Sequence, residues 1–252
     1  MKFRLPVAFL LAASACAHDP AGPGAARSET VQVGRAIIEL RHGGDDAQTV
    51  EQVKRVLPRA VAAAERWGSL DTPVTLTVHA THDGLEAAAQ RQGRPWMRAW
   101  ARHDAVDLQS PRTWSRGRAS DDALGQILAH ELTHCMLFHA AGPGWEGHDI
   151  PVWFQEGMAS VTADERHVRA RAEALAAPES LVSSDSKLVY GTADRAFRFL
   201  LARHGENRVR LLLARLGEGR PFPDAFRDTM GVALADFERD LRGQLTALAV
   251  RG

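Results

Sequence analysis

Apolar and polar positions alternate with two different periods along this chain, and the period changes mark its elements. Val31 to Leu40 (VQVGRAIIEL) is rich in β-branched residues and predicts a strand. From Asp45 to Trp67, Val50, Val53, Val56, Leu57, Val61 and Ala64 recur at helical spacing and predict an amphipathic helix. Pro58 lies inside it, where proline kinks or divides a helix. Pro73 then opens an alternating strand, Val74 to Val78, and Asp83 to Gln92 predicts a short helix. Met97 to Gln109 predicts one or two short strands, with Ala105 to Gln109 the clearest. Ser120-Asp121-Asp122 is a helix start: a capping hydroxyl, then two acids at the positive end of the helix dipole. That helix runs to about Ala141, where Gly142-Pro143-Gly144 stops it. Beyond it the pattern is helical: Pro151–Ala176, whole or broken, then Thr192–His204, Arg208–Leu216 and Leu234–Leu248, with a Ser/Asp-rich loop from Pro178 to Leu188. Gly205 stands where a C-cap glycine belongs. Strands and helices mix in the first half and helices dominate the second, which predicts an α+β fold: a small mixed sheet, a central helix at 120–141, and a mainly helical second lobe closing a cleft.

Composition narrows the class. The chain has 252 residues, 45% hydrophobic and 25% charged, the balance of a globular protein and not of a disordered, collagen-like or multi-span membrane chain. Lys+Arg and Asp+Glu are both 31, so the basic excess of a nucleic-acid binder is missing. The two cysteines, Cys16 and Cys135, make no disulfide framework, and Cys135 reads as a small buried hydrophobe. Residues 1–17 (MKFRLPVAFLLAASACA) have a positive start, an apolar run too short to span a bilayer, and small residues after it, the layout of a secretory signal. Cleavage after Ala13-Ser14-Ala15 is one reading. The favoured one is a lipobox ending at Cys16, whose acylation would anchor the protein to a membrane surface. Residues 18–30 then form a Pro/Gly/Ala-rich tether, and 31–252 form one domain with an α/β lobe (31–141) and a helical lobe (142–252). Both cleavage readings place the mature protein in the periplasm or cell envelope.

The candidate chemistry lies in the helix at 120–141. His130-Glu131-Leu132-Thr133-His134 puts two imidazoles four residues apart, on one helical face, where both can reach one metal ion. Zinc accepts such nitrogen ligands, and the intervening carboxylate can take a proton from water activated there. Two histidines leave a catalytic zinc one protein ligand short. Position 140 is Ala and His139 is wrongly spaced, whereas Glu156, 22 residues after His134, follows the Gly/Pro turn inside Trp153-Phe154-Gln155-Glu156-Gly157-Met158-Ala159. A second helix there would cross the first and present one carboxylate, with Gly157 permitting close approach.

H-E-x-x-H followed by W-F-x-E-G-x-A resembles the gluzincin metallopeptidases, the thermolysin-like superfamily, and within it the peptidase MA-like domains of bacterial secreted proteins and lipoproteins. The resemblance covers about residues 70 to 250. It implies a thermolysin-like zincin domain with Zn2+ held by His130, His134 and Glu156, and Glu131 as the general base that passes its proton to the leaving nitrogen. It implies a neutral donor for the oxyanion: Tyr190, the only tyrosine, is the candidate, with His148 the weaker one. Residues 100–115 lack the G-x-M-E-N pattern by which the aminopeptidase branch binds a free amine. An endopeptidase is therefore expected, holding an extended peptide or protein substrate along an edge strand such as Val106–Gln109. The Asp that orients the first histidine in thermolysin-like enzymes is replaced by Ser160, with Asp164 as the substitute. Arg166, Arg169 and Arg171 with Glu165 and Glu173 read as a solvated face. Trp67 and Trp96 read as core, and Trp145 and Trp153 as walls of the site. The alternative reading is a zinc-binding envelope module for interaction or assembly, without turnover.

Overall fold

A computed structural model describes residues 26–114, 119–142, 149–167, 169–176 and 186–249. The signal, Cys16, most of the tether, Trp145, His148 and most of the loop at 178–188 lie outside the described residues. The strand expected over Val31–Leu40 is two strands, β1 (Arg27–Val33) and β2 (Ala36–His42), paired antiparallel with Val33 opposite Ala36. The chain reverses through Gly34 at φ +59°, a backbone that glycine adopts without strain in a two-residue hairpin. The β-branched run on both sides conceals this turn in the sequence. α1 (Ala47–Ala64) buries the stripe that the periodicity marks, and Pro58 neither ends nor divides it. Pro58 is exposed, so the helical donor it removes is one that solvent can replace.

β3 (Val74–His79), α2 (His82–Ala89), β4 (Ala99–Arg102) and β5 (Ala105–Gln109) complete an α+β first half. The sheet is mixed, in the order β1-β2-β3-β5-β4, parallel at β2–β3 and β3–β5 and antiparallel at its ends. β5 is therefore paired on both sides. The exposed edge expected at Val106–Gln109 belongs instead to β4, because the chain turns back after Arg102 and lays β5 against β3. Arg98 and Gln109 are hydrogen-bonded across the hairpin. Alternation along the ladder then turns the backbone groups of Ala99 and Ala101 away from β5.

α3 (Asp121–Ala141) starts as expected: the Ser120 hydroxyl accepts from the Ala123 N–H at 3.1 Å. Asp121 and Asp122 pair with Arg55 and Arg59 of α1. Leu124, Leu128, Leu132, Cys135, Met136 and Leu137 are all fully buried, so α3 is apolar nearly all round and lies inside the molecule. α4 (Val152–Thr162) stops well short of Ala176. The chain leaves it through Asp164 at φ +50°, runs irregularly, and makes one short 3-10 turn at Ala172–Ala176. The two expected helices follow one another within α5 (Ser186–Gly217) and are separated where expected, at Gly205, whose φ of +72° is not helical; the first begins earlier than expected, at Ser186. α6 (Phe222–Met230), which the sequence reading misses, and α7 (Leu234–Ala249) follow. α6 buries Phe222, Ala225, Phe226, Thr229 and Met230, a helical pattern only nine residues long between Pro221 and Gly231.

An aromatic cluster fastens this half together. Phe154 meets Phe197 at 5.4 Å and Phe222 at 4.9 Å between ring centroids, and Trp153 stacks on Phe237 at 5.6 Å. Trp153 is thus core, 2% exposed, and not a wall of the site, while Trp67 is core as expected. Gly157 lets α4 seat on α5: a Cβ there would come within 2.3 Å of the Ala193 carbonyl oxygen and 2.7 Å of the Phe197 Cβ. Gly157→Ala is expected to destabilise the protein by about 1–3 kcal/mol, as overpacking of a closed interface does. A denaturant titration against wild type checks this, and an unchanged midpoint would refute it.

Candidate metal centre and its cleft

α3 presents His130 and His134 on one face, their ring centroids 5.0 Å apart, and α4 crosses it to present Glu156. Glu156 Oε2 lies 3.3 Å from Nε2 of His130 and 3.6 Å from Nε2 of His134. One donor atom from each of the three residues falls within 4.8 Å of the others. Glu156 Oε2 is buried, yet it makes no hydrogen bond of acceptable direction with either ring. Three ligand atoms that converge without sharing protons fit a cation, and two imidazole nitrogens with one carboxylate oxygen is a donor set that zinc takes. Burial pushes the Glu156 carboxyl up, but His134 and His130 outweigh it and hold its pKa at about 2. Burial acts to lower the His130 pKa, and Glu165 and Glu156 raise it overall, well above the ordinary histidine value.

Glu165 is the residue that sequence reading assigned wrongly. It does not lie on a solvated face. Its Oε1 is 3.1 Å from Nδ1 of His130, the nitrogen turned away from Glu156, and its Oε2 is 2.8 Å from Nε2 of His167. Asp164, the expected substitute, is exposed and meets α3 through its backbone: its carbonyl accepts from the Gln126 side-chain amide at 3.3 Å. The Ser160 hydroxyl is buried without a partner. The reason is the left-handed Asp164, which ends α4 and swings the next carboxylate back over α3. The signal was there in the alternation of Glu165 and His167 next to a helix end, but the arginines after it masked it. A carboxylate on the outer nitrogen of a ligand histidine fixes its tautomer and aim. Glu165→Gln is expected to weaken zinc affinity about 10- to 100-fold. Competition with a chromophoric chelator measures this, and an unchanged affinity would remove Glu165 from the site.

Glu131 reaches the same cleft from the first turn between the two histidines. Burial raises its carboxyl pKa, with Glu156 adding to the rise, while His130, His134 and a hydrogen bond from the Ala101 backbone act against it. Tyr190, in the first turns of α5, lies edge-on to the His130 ring with centroids 5.9 Å apart and stacks on His167 at 6.1 Å. Burial and the carboxylates of Glu156, Glu131 and Glu165 push the phenol far above its usual pKa, opposed by Arg94, so it stays a protonated donor. The structure therefore brings His130, Glu131, His134, Glu156 and Tyr190 together around one cavity of about 830 Å³. β4 and the α2–β4 loop form its opposite wall. Trp96, expected in the core, is in that wall, edge-on to Tyr190 with ring centroids 6.2 Å apart. Cys135 is fully buried and contributes nothing to the cleft.

No protein-family model matches the chain, and no curated protein matches it. Solved structures do. An M1 zinc metallopeptidase from Deinococcus radiodurans superposes with a TM-score of 0.48 at 13% identity, over 89% of this chain and 52% of that one. An aminopeptidase N family protein from Idiomarina loihiensis gives 0.45 at 9% identity, over 86% of this chain and 46% of that one. The chain spans about half the length of the structures it matches.

Proposed function

We propose that this protein is a zinc-dependent peptidase of gluzincin type, built as a thermolysin-like, peptidase MA-like domain and acting as an endopeptidase. One arrangement supports this above all: two imidazole nitrogens and a carboxylate oxygen converge without hydrogen bonds, and a second carboxylate, Glu131, stands beside them in an open cleft. A structural zinc site is closed by four protein ligands, whereas three leave a position for chemistry. His130, His134 and Glu156 would hold the ion, and the chemistry it supplies when bound is Lewis acidity toward a water molecule and a carbonyl oxygen. Glu131, its carboxyl pKa raised toward that of a useful base, takes the proton from the attacking water and carries it to the leaving nitrogen. The Tyr190 hydroxyl donates to the oxygen that gains charge at the tetrahedral stage. Glu165 holds His130 in aim and touches no substrate.

The β4 edge supports the endopeptidase reading. Its outward-facing Ala99 backbone and Ala101 carbonyl can add an extended peptide as a further strand, while the Ala101 N–H donates to Glu131. Among the described residues lining the cleft the acids are Glu131, Glu156 and Glu165, and each already has a role, so none is left to bind a free α-amine. A quenched fluorescent peptide with an acetylated N-terminus should be cut internally, and chelation should stop the reaction until zinc is restored. Release of N-terminal residues from free peptides, with acetylated ones left intact, would refute the endopeptidase assignment. The signal at residues 1–17 supports action in the periplasm or envelope, with Cys16 as the site of a lipid anchor. No helix among the described residues is long and apolar enough to cross a membrane.

A further inference from the structure

Two hydrogen-bond donors in the wall of the cleft have nothing to donate to. Nη1 of Arg94 and Nε1 of Trp96 are both buried without an acceptor, and both residues line the cavity that holds His130, His134 and Glu156. Buried N–H groups are almost always paired, so two orphans two residues apart, on residues that line one cavity, call for an acceptor. The neighbouring cations are occupied. Arg98 donates to the Pro95 and Met97 carbonyls, both at 2.9 Å, and Arg102 to Asp107 and to the Ala88 carbonyl. Arg91 stands over the Trp100 ring at 4.7 Å. The loop carrying the two orphans is fixed in place. The Glu86 carboxylate accepts from the Arg94 N–H at 2.5 Å and the Gly93 N–H at 3.1 Å, and His82 braces it at 3.1 Å. Trp96 packs edge-on against Tyr190, and the Arg94 charge acts on the Tyr190 phenol, so both residues stand at the Tyr190 end of the cleft.

We infer that Arg94 and Trp96 form a receptor for a carboxylate of the substrate, so that peptides carrying an acidic group close to the scissile bond are preferred. The inference rests on the peptidase reading and names its substrate class. Guanidinium and indole N–H groups are donors only. A carboxylate supplies several acceptor lone pairs and a charge complementary to the half-buried guanidinium. A neutral amide or hydroxyl would satisfy one donor and leave that charge unpaired. The carboxylate has two possible sources, an Asp or Glu side chain or a free C-terminus.

The test is calorimetric binding to zinc-loaded Glu131→Gln protein, in which turnover is blocked. The probes are an acetylated alanine tetrapeptide amide, the same peptide as the free acid, and amides with one alanine replaced by Glu or by Gln. At least one acidic probe should bind about 10- to 100-fold tighter than its neutral partner. Arg94→Gln in the same background should erase that difference and leave neutral peptides unchanged. Trp96→Phe keeps the packing against Tyr190 and removes the N–H, and should reduce the preference about two- to tenfold. A preference for the free acid identifies the C-terminus as the source, and a preference for Glu over Gln identifies the side chain. Equal binding of acidic and neutral probes, a preference that survives Arg94→Gln, or binding of none of the probes overturns the assignment. Hydrolysis by the wild-type protein is scored separately. Neutral peptides cut without acidic preference sink the receptor alone. An Arg94-dependent preference in binding with no hydrolysis of any peptide sinks the peptidase reading alone.

Discussion

Glu131→Gln lowers peptide hydrolysis by about 10²- to 10⁴-fold and leaves zinc in place. The fold-change is that of losing a positioned general base. The second half of the expectation distinguishes catalysis from mere zinc binding. Glu131 sits between the ligand histidines on α3, but its carboxyl is not among the three groups whose atoms converge. The amide keeps the shape, removes the negative charge that burial makes expensive, and cannot accept the water's proton. Steady-state kinetics with metal analysis of the same samples decides it. Retained hydrolysis, or loss of zinc together with activity, would mean that Glu131 has been given the wrong role.

Glu156→Ala has the opposite profile: zinc is lost along with activity. Structural zinc binding is worth about 10–16 kcal/mol in small domains, so one ligand of a few is worth roughly 3–5 kcal/mol, or on the order of 10²- to 10⁴-fold in affinity. The substitution also leaves His130 and His134 without the carboxylate that faces them, at 3.3 Å and 3.6 Å. Metal content after gel filtration should fall from near one zinc per chain to a small fraction. Near-ultraviolet circular dichroism of the same fraction shows whether the fold persists. Wild-type zinc content in a well-folded Glu156→Ala protein would show that the third ligand lies elsewhere.

The parts of this account that were legible in the sequence are local ones. Ser120 caps α3 because a hydroxyl before two acids and an apolar run is a local signal, and His130 and His134 share a face because helical geometry alone puts them there. Glu156 was reachable because its helix carries its own packing residues, Trp153, Phe154 and Gly157. What escaped depends on pairing or on single backbone angles. The edge strand is β4 and not β5, because strand order is decided by partners distant in sequence. Glu165, and not Asp164, supports His130, because one residue at φ +50° redirects the chain after α4. The Gly34 turn was hidden in a β-branched run, and α6 was too short for its period to stand out. Trp96 read as a core ring and Arg94 carried no signal in the sequence, and only the unpaired state of their N–H groups sets them apart.

X-ray absorption at the zinc edge of the purified wild-type protein tests the central claim most directly, since it needs no substrate. The account predicts one bound zinc with two imidazole nitrogens and a carboxylate oxygen at about 2.0–2.2 Å, completed by a further light-atom ligand and no sulfur. A folded protein that binds no zinc, or a spectrum with sulfur at about 2.3 Å, would contradict it.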